Sequence, residues 1–560
     1  MFITQHKYAT AVGIPKPRCN NDPMKRRFRF LTPRLSEIEG WSVLLLEAGG
    51  GEPLPVRVPS FTPFARPSRL SWGFSTQPQE ALCGGESCPA TTGRGLGGGS
   101  LINLMMYNRG NERIFNLWQE MGNPGWSFDD VLPYFKKSED NLDSCIANNT
   151  HYHNTAGLQT IGRFPHQDSN SRLLLNALQE LDLKETDINA ESQAGSMRMQ
   201  FFQNAGTRQS AGKAFLDPIR HGRPNLAIVT NARVTKVIVG HETREAEGVE
   251  YVLEDNKFIK RIAFASKEVL LCAGAVNSPQ LLMLSGIGPI KTLQSLGIAV
   301  IEDLNVGRNL QNHFKTGIDL ILDEKRQTVP KNQDVVDDIL RYFWRHEGAL
   351  ASVGTFDVTA YINSTFSTRN FPDIQFLFFP QFFHPNQSFH TPLSYYNRIS
   401  VETIAVRPRT RGYIAINTTD PFSQPIINYI LDSHDIDVIS QGNDFVVKEL
   451  MNTKTLKENG MSVDTEPNTK CKDFTFGTFN YFRCLATNYS YPSYHFSGTC
   501  KMGPSSDRSA VVDSSLRVHK IKKLRVVDAS VMPVLVNANP HAAVLMIAEK
   551  ASDLIKEAWT

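Results

Sequence analysis

Cysteine is scarce in this chain. There are eight in 560 residues (Cys19, Cys83, Cys88, Cys145, Cys272, Cys471, Cys484 and Cys500), and none has the paired C-x-x-C spacing of a structural zinc site. That excludes a disulfide scaffold and leaves no reason to expect a metal. Long apolar runs are missing too: no stretch approaches the roughly 18 residues of a membrane span, and the first residues lack the apolar segment of a secretory signal. Nor is one charge in excess, since 59 Lys+Arg stand against 56 Asp+Glu for a formal +3. Only residues 25–29 form a short basic patch, which reads as solvated, so no nucleic-acid partner is indicated. The absence of internal repeats and low-complexity tracts sets aside solenoids and propellers.

What the chain does have is length and apolar content. With 560 residues, 41% of them hydrophobic, it can bury large cores, and it reads as one interleaved α/β enzyme. Trp41-Ser-Val-Leu-Leu-Leu-Glu47-Ala-Gly-Gly is an apolar run of strand length that ends in an acid and then glycines. In a dinucleotide-binding fold such an acid accepts hydrogen bonds from ribose hydroxyls, and small residues beyond it admit the cofactor. Glu47 is therefore a candidate ribose ligand, although taken alone the run fits an ordinary core strand at least as well. The strand, G-x-G-x-x-G turn and helix that should precede it are missing. Residues 1–33 hold only Gly13, and Pro15, Pro17, Pro23 and Pro33 break regular structure, while residues 34–38 read as the last turn of that helix.

Further on, Thr92-Gly-Arg-Gly-Leu-Gly-Gly-Gly-Ser100-Leu-Ile-Asn103 is too glycine-rich for the interior of an element, and Gly97 and Gly98 would let backbone crowd a flat ligand. Helices are expected over 116–121 and 129–141, an antiparallel meander over about 227–252, and a strand over 267–272 that runs into Gly274. From about 311 to 488 the chain is richer in aromatics, Asp and Asn, as in Phe376-Leu-Phe-Phe-Pro-Gln-Phe-Phe383, which predicts a second, sheet-based domain. Residues 542–555 have the periodicity of a long amphipathic helix. Sequons at Asn148, Asn363, Asn386, Asn417 and Asn488, with Cys83 and Cys88 five apart, suit an oxidising, glycosylating compartment.

Three segments carry a specific resemblance: residues 93–110, 274–289 and 494–550. Gly-Arg-Gly-Leu-Gly-Gly-Gly-Ser-Leu-Ile-Asn-Leu-Met-Met-Tyr-Asn-Arg-Gly110 and Gly274-Ala-Val-Asn-Ser-Pro-Gln-Leu-Leu-Met-Leu-Ser-Gly-Ile-Gly-Pro289 are similar to the two signatures of the glucose-methanol-choline (GMC) flavin oxidoreductases. Trp72-Gly-Phe before Gln77-Pro-Gln, Tyr152-His before Gly157, Val306-Gly-Arg-Asn-Leu-Gln-Asn-His313 and Pro372-Asp-Ile-Gln-Phe resemble lesser words of the family. The likeness runs from about residue 34 to 560. It implies an α/β (α+β) fold: a Rossmann-like FAD-binding domain, here lacking its first strand and glycine loop, with an interleaved antiparallel-sheet substrate domain. Residues 1–33 stand apart. Residues 34–310 are expected to be mainly FAD-binding, with a substrate-domain insertion at about 161–204. Residues 311–489 would form mainly the substrate domain, and 490–560 return to the FAD domain with the catalytic histidines.

Tyr494-His495-Phe-Ser-Gly-Thr-Cys500-Lys-Met-Gly resembles the family's catalytic-histidine segment, and Asn539-Pro540-His541-Ala-Ala-Val-Leu-Met-Ile-Ala-Glu549 the segment of its second catalytic residue. Oxidising an alcohol removes the hydroxyl proton and sends a hydride to flavin N5, so a neutral imidazole is an apt base. The resemblance gives that role to His495, and gives His541 the task of holding the same oxygen. The remaining histidines, such as His151, His153, His221 and His313, receive no catalytic role. By the same carry-over Glu47 meets the adenosine ribose. Arg94, Gly97, Gly98, Ser100 and Asn103 meet the pyrophosphate and flavin, and Val234 lies beside the adenine. Asp528 and Ala529 lie near the pyrophosphate and ribityl chain, and Leu104, Met105, Met106 and Pro540 are further cofactor contacts. Gly99 stands where the family usually has a serine. Some relatives attach FAD through a histidine at the place of Ile102, so FAD is expected to be noncovalent here.

The expected substrate is a small, sugar-like alcohol, with oxygen or a quinone as electron acceptor. The likeness is to the insect-like branch, with its FAD glucose dehydrogenases and ecdysone oxidases, and it implies an extracellular protein. Two alternatives stand beside this. The stretch Phe376 to Phe383 would favour a sterol or ecdysteroid alcohol if it lined a pocket, and is sheet core otherwise. The missing glycine loop, worth two or three charged-group hydrogen bonds of about 1.5 to 3 kcal/mol each, would weaken FAD by at least roughly 10²-fold. It allows a noncatalytic, flavin-poor binding protein, or a different first exon for residues 1–33.

Overall fold

The computed structural model describes residues 2–5, 31–384 and 390–560. Gly13, Pro15, Pro17, Pro23, Cys19 and the sequon at Asn386 lie outside the described residues.

The apolar run after Trp41 forms the strand Ser42–Leu46, paired in parallel with Leu226–Val229. Val269–Leu271, the expected strand before Gly274, pairs in parallel with Leu524–Val526. Between these pairs, at the centre of a five-stranded sheet, lies Phe2–Gln5, antiparallel to both neighbours. From the sequence this position is expected to be empty. Four residues fill it instead, running opposite to the strand a dinucleotide fold places there. The physical pressure is plain: an unfilled gap would expose two rows of unpaired backbone groups.

Ser42–Leu46, Val269–Leu271 and Leu524–Val526 all run the same way, so their C-terminal ends bring Glu47, Cys272, Gly274 and Asp528 to one edge of the sheet. That edge is where open α/β sheets bind ligands. The strands' near-continuous apolar character follows from burial on both faces: Val43, Leu45, Leu46, Val269, Leu270 and Leu271 are all buried. The expected meander starts later than its alternation suggested. Ala232–Val239, Ala246–Leu253 and Asn256–Phe264 form it, whereas Ala227 and Ile228 belong to the parallel pair.

The second large sheet is antiparallel throughout. Its order is Met461–Val463, Phe314–Leu322, Arg398–Ala405, Ile374–Gln381, Val358–Ile362 and Gly195–Arg198, with Tyr491–Pro492 also paired to Phe314–Leu322. The aromatic stretch is both core and wall. Phe376 stacks on Phe445 of the helix Ser433–Lys448 with ring centroids 5.5 Å apart, while Leu377 and Phe379 line a cavity between the two sheets.

The helices expected over 116–121 and 129–141 are Glu112–Glu120, which starts a turn earlier, and Phe128–Ser138, opened by a capping box between Ser127 and Asp130 and ending where residues 139–141 turn into the strand Glu139–Asn141. The C-terminal helix His541–Trp559 buries Ala542, Leu545, Met546 and Ile555. It is tied to the helix Leu31–Leu35 by Arg34 Nε donating to Glu549 Oε2 at 2.7 Å. Cys83–Cys88 and Cys471–Cys484 are disulfides, and Cys145, Cys272 and Cys500 are free thiols. Among the described residues no helix is long and apolar enough to cross a membrane.

Candidate active site

A cavity of about 750 Å³ opens at the strand ends of the first sheet and extends to the inner face of the second. Strand ends supply Glu47, Gly274, Asp528 and Ala529, and Val234 comes from the neighbouring meander. The glycine-rich segment supplies Gly97, Gly98, Ser100 and Asn103, followed by Leu104, Met105 and Met106. His495, Pro540 and His541 lie on the same cavity. Of the residues expected at the site only Arg94 is not on it. Its guanidinium donates to Ala48 O at 3.1 Å, pairs with Glu254 and lies 5.0 Å from the centre of the Trp72 ring. An acid on the meander holds the side chain there, and nothing in the local motif announces that acid.

The glycine-rich segment holds its shape by close approach. A Cβ on Gly93 would sit 2.3 Å from Gly98 O, and Gly97 has φ +120°, which side-chain-bearing residues rarely adopt. Arg208, fully buried, clamps the segment from behind. It donates to Ser100 O (3.0 Å), Asn103 O (2.7 Å), Asn103 Oδ1 (2.9 Å), Val56 O (2.8 Å) and Thr62 Oγ1 (2.7 Å). Burial pushes its pKa down to about 9, so it remains charged at neutral pH. Two expected cofactor contacts also shape the backbone. Ser100 Oγ donates to Gly97 O at 2.6 Å and accepts from Ala211 N at 2.9 Å. The Asp528 carboxylate accepts from Gly274 N (2.9 Å), Ser278 Oγ (2.6 Å) and Ser530 N (2.8 Å). It thereby locks the turn after Val269–Leu271 to the end of the neighbouring strand.

His495 is held on three sides. Its backbone N donates to Asn312 Oδ1 at 2.8 Å, its Nδ1 lies 2.8 Å from His313 Nδ1, and its Nε2 lies 3.4 Å from Asn539 Nδ2. Burial, together with His313, Lys315 and Arg66, holds its pKa well below the ordinary imidazole value. His541 opens the C-terminal helix and packs edge-on against Phe202, with ring centroids 4.6 Å apart. Burial, and secondarily Arg208, lowers its pKa to about 4, and among the described residues its Nε2 has no hydrogen-bond partner. Two neutral imidazoles on one cavity, one with an unpartnered nitrogen, suit proton transfer to and from a ligand oxygen.

Two family models, both described as GMC oxidoreductase, match residues 68–315 and 408–548. The chain is 37% identical over 537 residues to a glucose dehydrogenase (FAD, quinone) of Drosophila pseudoobscura pseudoobscura, covering 94% of this chain and 84% of that one. The chain belongs to the GMC oxidoreductase family. Ecdysone oxidase of Bombyx mori is 30% identical over 561 residues, covering 95% and 80% of the two chains. Among solved structures, formate oxidase of Aspergillus oryzae RIB40 superposes with a TM-score of 0.83 at 24% identity, covering 94% of this chain and 96% of that one. Pyridoxine 4-oxidase from Mesorbium loti gives 0.77 at 27% identity with the same coverage. The GMC enzymes are FAD-dependent oxidoreductases of alcohols, and this chain is an enzyme of that type.

The residues present fit FAD. His541 Nε2, Asn277 Oδ1, Thr92 Oγ1 and Ser493 Oγ are buried polar atoms without partners among the described residues, all from residues on the cavity, and buried polar atoms ordinarily find one. A Cβ added at Gly98 or Gly274 would meet nothing within 4 Å, so the backbone there faces open space. Burial raises the pKa of Glu47, which already accepts from Gly49 N at 2.7 Å, and ribose hydroxyls would solvate that carboxylate.

Several site residues escaped sequence reasoning. Asn539 and Asn312 sit inside motifs that were recognised, one residue or two from a recognised histidine. His313 ends a recognised word, yet only its contact with His495 reveals its place; it does not itself line the cavity. Arg208 and Arg66 carry no local signal at all.

Proposed function

We propose that the protein oxidises a small, sugar-like alcohol with noncovalently held FAD, His495 acting as the base and His541 orienting the reacting oxygen. The observation that carries this is the His313–His495 contact. Two neutral imidazoles joined through their Nδ1 atoms must have one donor and one acceptor. With His495 donating, its Nε2 keeps a lone pair beside Asn539, the form a base requires. The weak 3.4 Å contact from Asn539 is one that a substrate hydroxyl can displace. His495 Nε2 then takes the hydroxyl proton, while His541 Nε2 fixes the same oxygen. Burial, and after it His313, Lys315 and Arg66, favours the unprotonated form of His495. Leu377 and Phe379 give that end of the cavity an apolar wall. FAD, when bound, supplies the hydride acceptor.

The sugar-like substrate is supported by the polar lining, Arg66, Lys315, Glu402 and Ser493, and by the likeness to glucose dehydrogenase. A sterol-like alcohol is the second reading, favoured by Phe356, Leu377 and Phe379 on the same cavity and by the likeness to ecdysone oxidase. Noncovalent attachment is supported by Ile102, which faces the cavity with no group able to bond FAD. The name of the glucose dehydrogenase favours a quinone as acceptor, and the two disulfides favour an extracellular location. For the division into domains, support comes from Gly195–Arg198, within 161–204, pairing with the sheet built from 311–489.

The test is the visible spectrum of the chain purified with excess FAD and desalted, followed by anaerobic addition of an alcohol panel. Bound flavin that bleaches, is released by acid precipitation, and reduces roughly 10²-fold to 10⁴-fold more slowly in His495→Ala is expected. A colourless protein, or flavin that no alcohol bleaches, overturns the proposal in favour of a flavin-poor binding protein.

A further inference from the structure

Arg66 caps the short helix Thr62–Ala65 and lies on the cavity beside His495. Its guanidinium sits 5.3 Å from the centre of the Tyr494 ring, on the residue that precedes His495. Among the described residues no hydrogen bond or ion pair engages it. The other charges nearby are already satisfied: Lys315 pairs with Glu402 across adjacent strands, and Arg208 is spent on the loop it clamps. Glu402 attracts Arg66 only at a distance, and burial lowers the pKa of Arg66. This end of the cavity therefore holds two cations, Arg66 and Lys315, against one anion, Glu402. A guanidinium on the cavity wall with no protein acceptor among the described residues has its donors available to a ligand. A neutral sugar offers it only hydroxyls, whereas a carboxylate matches its planar fork with two parallel, charge-assisted hydrogen bonds.

We propose that Arg66 determines specificity, and that the preferred substrate is an alcohol bearing a carboxylate, such as a sugar acid, whose carboxylate pairs with Arg66 while its hydroxyl lies at His495. The assignment rests on the alcohol-oxidising site proposed above and narrows its substrate class. No redox step is added, because the carboxylate is a handle and the oxidised bond remains the alcohol's.

The probes are D-glucose and D-glucuronate, which share a ring and an anomeric hydroxyl and differ at the remote carbon. Binding to the FAD-loaded enzyme is read by titration calorimetry under anaerobic conditions, and flavin bleaching is recorded separately. Glucuronate should bind about 10-fold to 10²-fold more tightly than glucose, and the margin should shrink as salt is raised. Arg66→Met should erase the margin, glucuronate losing far more affinity than glucose, and Arg66→Lys should keep part of it. Equal binding of the two probes by the native enzyme, or a margin that survives in Arg66→Met, overturns the proposal. So does an equal loss for both probes, which would make Arg66 a general stabiliser of negative charge. Should Arg66→Met fail to fold, the native margin, its salt dependence and Arg66→Lys still decide. Acid-selective binding that depends on Arg66 without bleaching would refute the alcohol-oxidising reading alone. Bleaching by glucose with no acid preference would refute only the role of Arg66.

Discussion

Replacing His313 with leucine should slow flavin reduction while hardly changing substrate affinity. The imidazole of His313 is buried and does not line the cavity, so its loss removes no contact with a ligand. Burial pushes its pKa down to about 3, so at neutral pH the substitution removes no charge either. What it removes is the partner 2.8 Å from His495 Nδ1. In the base-competent tautomer His495 carries its proton on Nδ1, and without His313 that buried N–H is unsatisfied, at a cost of about 1 to 3 kcal/mol. The ring then shifts its proton to Nε2, and the base-competent population falls by roughly 5-fold to 150-fold. The rate of flavin reduction in anaerobic stopped-flow should fall by the same factor, with KM within about 3-fold of native because ground-state contacts are intact. His313→Asn keeps an acceptor oxygen in place of Nδ1 and should recover most of the rate. A leucine variant that reduces flavin at the native rate would refute the tautomer argument. So would leucine and asparagine variants that are equally slow with raised KM, since that pattern means general damage to the site.

Arg208→Met should lose FAD on desalting and melt at a lower temperature, because Ser100 O and Asn103 O lose their buried donor; about 1 to 3 kcal/mol is the scale for leaving a buried acceptor unsatisfied. Flavin retention and a melting curve check it. Gly93→Ala should also release FAD, since its Cβ would fall 2.3 Å from Gly98 O and force the loop open. In acid, His541 should destabilise the fold. Its folded pKa of about 4 lies below the ordinary 6.5, so the unfolded chain takes up the proton first and stability falls as pH drops from about 6.5 toward 4. By pH 5 that one group should cost about 2 kcal/mol. Urea unfolding of native and His541→Asn at pH 7.5 and 5 measures it, the variant losing less on acidification.

The sequence by itself determined the family and the chemistry, and it named part of the cavity lining. These are local matters: an apolar strand that ends in an acid and glycines, a run of glycines, and two words around His495 and His541 read the same before and after folding. It also marked the aromatic stretch of Ile374–Gln381 as sheet, though alternation could not say which face would meet the cavity. Tertiary structure alone decided the partners. His313 meets His495 across 182 residues, Arg94 turns to Glu254 across 160, and Arg208 reaches back 108 residues to Ser100. It alone placed Phe2–Gln5 in the central gap of the first sheet and assigned Ala227 and Ile228 to a parallel pair. Periodicity records whether a residue is to be buried. It cannot record which charge or hydrogen-bond partner will be waiting there, because that depends on how distant segments pack.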